Sequence, residues 1–217
     1  MAHSKSQRPG RPKSLKDESV KQERRSLLEQ SHVAPLTKFV VELRDQKLEE
    51  HSPDFRKEHI PYFDPLDGGV QARCLFLFEA PGGRAVKSGF ISRDNPDETA
   101  KVFFELNECV GLDRCLTVSW NIVPWYLGSE KRIRAAKRAD INQGLQHLWD
   151  LLDLLRPLDI IVLGGRKAQR ATMDIKEKRV ADRVIEMWHP SPQSLHRVPS
   201  RREEIREVLR DIANSVS

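Results

Sequence analysis

Four short apolar runs constrain this chain more than any other feature. They are CLFLF at 74–78, LTVSWNI at 116–122, DIIVLGG at 159–165 and RVIEMW at 183–188. Each is halted at once by glycine or proline: EAPGG after the first, Pro124 after the second, Gly164 and Gly165 in the third, His189-Pro190 after the fourth. Continuous apolar runs this short are too brief for helices and fit strands buried on both faces of a parallel sheet. Helical patterns fill the gaps. Asn95, Pro96 and Glu98 read as a helix start, with Asn95 as the cap, leading to Val102, Phe103, Leu106 and Val110 and a stop at Gly111. From about Asp140 to Arg156, Ile141, Leu145, Leu148, Leu152 and Leu155 share one helical face that Pro157 closes. A shorter helix is expected after Gly165, and an amphipathic one over 201–214.

Ahead of the first strand, Leu36, Phe39, Val40 and Leu43 lie at helical spacing, and HIPYFDPLDGG (59–69) reads as a loop. Strands alternating with helices predict an α/β fold: a three-layer α/β/α domain around a central, mostly parallel four-stranded sheet. Ligands bind such sheets beyond the carboxyl ends of the strands. The four interrupted loops should therefore converge on one crevice.

A chain of 217 residues is long enough for one domain with a sizeable core and a tail. No apolar run approaches the ~18–20 residues of a membrane span, and no secretory signal is expected. Cys74, Cys109 and Cys115 are an odd set without C-x-x-C spacing, which argues against a disulfide framework or a thiolate metal site. Cys74 and Cys115 read as small core residues, and a reducing cytoplasm as the compartment. The formal net charge is +5, which permits a polyanionic partner. Basic residues gather at the N-terminus, in KRIRAAKR (131–138) and around Arg197, Arg201 and Arg202. Residues 1–30 are predicted to be a disordered basic arm, in which RPGRPKS resembles the Gly-Arg-Pro core of an AT-hook, and 31–217 the folded domain.

The loops themselves resemble those of the uracil-DNA glycosylase superfamily over roughly residues 72–214. The resemblance rests on FEAPGG after the first strand, Asn121 at the end of the second, VLGGRKAQ after the third and HPSPQS after the fourth. It implies a monofunctional, metal-independent hydrolase without cofactor. Such an enzyme acts as a monomer on uracil in single- or double-stranded DNA and leaves an abasic site. No lysine stands in the motifs as a Schiff-base candidate.

The chemistry requires negative charge near an oxocarbenium-like sugar, donors near an anionic leaving base, and a base flipped into a pocket. The resemblance assigns Glu79 to water and the cationic sugar, and His189 to the base carbonyl O2. Backbone N–H groups around Ala80 and Gly82 can donate to base or phosphate. Phe90, in SGFISR, is the stacking candidate, and core packing is its alternative. Asn121 offers the donor and acceptor that match the N3–O4 edge of uracil. Ser191, Ser194, Arg166 and Lys167 are candidate phosphate contacts, with a solvated face as the alternative for the two basic residues. Gln193 holds the position of the wedge that fills the vacated stack, and Leu195 is an alternative.

Three departures bear on specificity. Ala80 stands where the best-known branch has Asp; the cysteines of the iron–sulfur branch are missing, so no cluster is expected; and Gly82 replaces the tyrosine that excludes the thymine methyl. Alternative readings are a glycosylase for hypoxanthine or xanthine, a weakly catalytic lesion-binding protein on the same fold, and a small-molecule nucleotide hydrolase that acts on free deoxyuridine and ignores duplex DNA.

Overall fold

A computed structural model describes residues 10–50, 55–128 and 133–216. In chain order the elements are α1 (Glu18–Arg25), α2 (Ala34–Glu49), β1 (Tyr62–Phe63), β2 (Cys74–Phe78), α3 (Gly83–Ser88), β3 (Phe90–Ile91) and α4 (Glu98–Val110). There follow β4 (Thr117–Asn121), α5 (Arg138–Leu154), β5 (Ile160–Gly164), α6 (Thr172–Lys178), β6 (Arg183–Met187), α7 (Pro192–Arg197) and α8 (Arg201–Val216). The four apolar runs are β2, β4, β5 and β6. They form one fully parallel sheet in the order β4-β2-β5-β6.

Alternation along the strands explains the three layers. Leu75, Leu77, Val118, Trp120, Ile161 and Leu163 pack on one face with side chains of α2 and α5. Cys74, Phe76, Ile160, Val162 and Met187 pack on the other with α4 and α8. The two central strands, β2 and β5, are apolar throughout because both of their faces meet a helix layer, whereas the edge strands β4 and β6 carry polar residues as well. The loop expected over 59–69 contributes β1, which pairs in parallel with β3. Phe63 of that strand stacks on Trp120, with centroids 3.9 Å apart.

Three expectations are corrected. Asn95 is not the cap of α4: Asp97 accepts from Ala100 N at 2.9 Å, while Asn95 donates to Phe90 O and accepts from Ser88 Oγ. Cys115 is exposed on a turn before β4, whereas Cys74 is buried. The domain also begins well before residue 31. Leu15 is buried, α1 is regular, Lys13 pairs with Glu98, and Arg24 is buried against Asp64 and Asp94. Gly10 lies against Arg114 and Asp94, so the Gly-Arg-Pro motif is partly folded onto the domain; residues 1–9 lie outside the described residues. Composition marked residues 10–30 as an arm because their charge is mostly basic. The matching acids lie 40 to 70 residues downstream.

Candidate active site

The carboxyl ends of the strands carry a cavity of about 290 Å³. Register sets its architecture. Phe78 ends β2 opposite Asn121 at the end of β4, and two further bonds, Ile122 N to Phe78 O (2.7 Å) and Val123 N to Glu79 O (3.0 Å), continue the pairing into the loops. Asn121 is thereby fixed beside the EAPGG turn. Its side chain is buried in the cavity wall, and its Oδ1 has no hydrogen-bond partner among the described residues. A buried, unsatisfied amide oxygen in a cavity wall is a group waiting for a ligand's donor.

His189 reaches the same cavity from the end of β6. Ser191 N donates to its Nδ1 at 3.2 Å. A backbone amide can only donate, so Nδ1 is the acceptor and Nε2 carries the proton. Burial pushes the imidazole pKa down to about 4, so the ring is neutral at physiological pH. The ring meets Phe78 edge-on at 5.6 Å between centroids.

The two glycines at the end of β5, Gly164 within it and Gly165 just after it, which read as a strand stop, are what admit these side chains. A Cβ on Gly164 would lie 2.4 Å from the Phe78 ring. A Cβ on Gly165 would lie 2.9 Å from His189 Cβ, and Gly165 has φ +93°, a conformation side chains rarely adopt. Gly165→Ala is expected to displace the imidazole and lower unfolding free energy by about 1–3 kcal/mol. Shifted His189 ring resonances together with a lower denaturation midpoint would show both effects; unchanged resonances would refute the packing role.

Of the residues singled out from sequence, the cavity gathers Ala80, Gly82, Asn121 and His189. It does not include Phe90, which is fully buried on β3. The aromatic walls are instead Phe78 and Phe103, edge-to-face with each other at 5.4 Å. The stacking assignment is corrected accordingly: a parallel β1–β3 pair turns Phe90 into the core. Glu79 is half-buried beside the cavity, and its Oε1 accepts from Ala136 N at 2.6 Å. Lys167 holds the same residue from its other side, donating to Ala136 O at 2.9 Å. The two charged groups fix the segment leading into α5.

A second depression of about 350 Å³ adjoins the first, and His189 borders both. Arg166, Ser191, Gln193 and Ser194 line it, joined by Arg197 and Arg201 of the basic cluster that follows the motif. HPSPQS is more than a turn: Ser191 caps α7, accepting from Ser194 N, and Pro192 takes the first helical position. Arg201 lies over the Trp188 ring at 4.0 Å and donates to Ser194 O at 3.1 Å. Gln193 is exposed, whereas Leu195 is buried and cannot serve as a wedge in this conformation. Among the described residues no helix is long and apolar enough to cross a membrane.

Comparison with known proteins agrees with this geometry. A family model for the uracil DNA glycosylase superfamily matches residues 65–213. The chain belongs to that superfamily. Its fold is shared with the crystal structure of Pedobacter heparinus SMUG2, at TM-score 0.52 and 13% identity over 66% of this chain and 77% of that one. A solution NMR structure described as a "putative Uracil DNA glycosylase" from Methanosarcina acetivorans is also similar, at TM-score 0.46 and 14% identity over 67% of this chain and 92% of that one. No curated protein sequence matches the chain.

Proposed function

We propose that the protein is a monofunctional glycosylase that removes uracil from DNA and leaves an abasic site. The observation that carries this reading is the pairing of an unpartnered Asn121 Oδ1 with a neutral His189 in one cavity. A flipped uracil offers its N3–H to Asn121 Oδ1 and its O4 to the amide nitrogen. The Nε2–H of His189 donates to O2, where negative charge grows as the C1′–N1 bond breaks with its electron pair going to the base. Water then bonds to C1′, and its lost proton is taken up by the departing base. A neutral imidazole is the suitable donor, because it strengthens with the developing charge without needing to give up a proton.

Glu79, between the cavity-lining Phe78 and Ala80, supplies the negative charge that favours the cationic sugar, and its carboxylate is held by the bond from Ala136 N. Phe78 and Phe103 give the ring apolar contact. Arg166, Arg197 and Arg201, with Ser191 and Ser194, form the track for backbone phosphates. The protein acts as a monomer.

A second reading, excision of a deaminated purine such as hypoxanthine or xanthine, draws on size. A cavity of ~150 Å³ accommodates benzene, so about 290 Å³ has room for two fused rings. A Cβ on Gly82 would meet nothing within 4 Å, so that side of the opening is uncrowded.

Excision from labelled oligonucleotides bearing one uracil or one hypoxanthine, followed by alkaline cleavage, separates the two readings. The expected result is cleavage at uracil, reduced about a hundredfold in Asn121→Ala. Glu79→Gln, which keeps the acceptor for Ala136 N, should lose about as much while its melting temperature stays put. Cleavage only at hypoxanthine would install the second reading, and cleavage at neither would end both.

A further inference from the structure

Arg93 enters the cavity from the loop after β3, which has little slack. Asp94 N donates to Ser92 Oγ, Asn95 Nδ2 donates to Phe90 O, and Ser88 Oγ donates to Asn95 Oδ1. The Arg93 side chain is 3% exposed and lines the same cavity as Asn121 and His189. Its Nη2 donates to Thr117 Oγ1 at 2.7 Å, and its guanidinium carbon lies 5.6 Å from the Phe103 centroid. Nε and Nη1 are buried with no hydrogen-bond partner among the described residues. The nearby carboxylates are engaged elsewhere: Asp64 and Asp94 pair with Arg24 and Arg114, and Asp67 pairs with Arg114.

A buried cation with unfilled donors is costly, and the cost is offset when a ligand brings the acceptors. Thr117, Ser119 and Asn121 alternate onto one face of β4, so Arg93 is anchored at the deep end of a polar row that Asn121 begins. The two ends of that row differ chemically. An asparagine amide carries both a donor and an acceptor, and by turning over it suits a carbonyl or an amino group equally. A guanidinium has donors only and cannot be deprotonated. Arg93 therefore adds to Asn121 a group that cannot turn over to suit an amino edge.

We infer that Arg93 is a specificity-determining residue: its donors restrict the cavity to bases that present carbonyl oxygens to its floor, and they reject bases carrying an exocyclic amino group there. The inference rests on the reading of the cavity as a base pocket. Rejection is the stronger half, since an amino group would set N–H against N–H in a desolvated site. The class selected is that of deaminated bases, in which a carbonyl stands where the parent base has an amine. A C5 methyl is not read by this device, so thymine is not excluded by it.

The test is the affinity of the full-length protein for free uracil, cytosine, hypoxanthine and adenine, read by ligand-observed NMR. Wild type, Arg93→Gln and Arg93→Lys are compared, with uracil excision from an oligonucleotide assayed in parallel. Wild type should prefer the carbonyl base of each pair by about tenfold or more. Arg93→Gln, which can turn an oxygen to the amino group, should erase most of that preference, and Arg93→Lys, donors only, should keep it. Equal wild-type affinities within each pair, or a preference unchanged in Arg93→Gln, overturns the inference. Should Arg93→Gln fail to fold, Arg93→Lys decides: a kept preference sustains the inference and a lost one overturns it. An Arg93-dependent preference without uracil excision sustains the inference while ending the uracil reading. Excision with no such preference does the reverse.

Discussion

Replacing His189 by alanine is expected to slow uracil excision by about a hundredfold to a thousandfold, the range for losing one pre-set donor to a developing oxyanion. The pH profile of the wild type should identify which form of the ring acts. An unperturbed histidine would produce an inflection near pH 6.5. With the pKa pushed down to about 4, the rate should show no such inflection and should fall only as the pH approaches 4. Stability carries the same signature. The unfolded chain takes up a proton below about pH 6.5, whereas the folded one resists it until about pH 4. Folding is therefore favoured fully above pH 6.5 and loses up to about 3 kcal/mol as the pH falls through that window. His189→Gln should remove this dependence. An inflection near pH 6.5 in the rate, or a stability curve unaltered in the glutamine variant, would rule out the buried neutral imidazole.

The sheet was legible because its evidence is local. CLFLF became β2 residue for residue, and the other three runs became β4, β5 and β6 with one or two end residues trimmed. Turn chemistry located the loops, and parallel topology gathers strand-end loops on one side, so Asn121, His189, Ala80 and Gly82 could be brought together before any coordinates. What escaped reading depends on register and long-range pairing. Phe90 and Phe78 are both aromatics beside the motif turn; β1 pairs with β3 and buries the first, while the second ends β2 at the cavity. Gly164 and Gly165 read as a strand stop, yet their positions are set by Phe78 and His189, which come from other strands. Arg93 gave no signal, because an arginine between Ser92 and Asp94 on a polar loop is ordinarily exposed. A cluster of Asp64, Asp67 and Asp94 spread over 31 positions could have hinted at buried cations, but only the fold brings those acids together.

That cluster makes the second large effect. Arg24→Met is expected to destabilise the protein by about 3–5 kcal/mol and to open residues 10–30 to proteolysis. Arg24 lies on α1 and reaches both Asp64 and Asp94; Arg114 reaches both as well, and also Asp67. Burial works against every carboxylate here. In Asp64, Arg114 and Arg24 overcome it and hold the pKa down to about 2, whereas Asp67 is pushed up to about 6 and Asp94 is also raised. The signs differ accordingly. Asp64 contributes stability above its unfolded pKa of about 3.9, lost as the pH falls toward 2. A raised carboxylate instead binds its proton more tightly when folded, so lowering the pH favours the fold until it is fully protonated. Removing Arg24 leaves Asp64 with Arg114 but takes one of the two cations from Asp94, which should rise further. The gap between Arg24→Met and wild type, measured by urea denaturation, should therefore narrow as the pH falls from 7 to 5. A constant gap would place the loss in the packing of α1 rather than in the buried charges. No gap at all would return residues 10–30 to the status of an arm, because a free arm has no buried partner to lose.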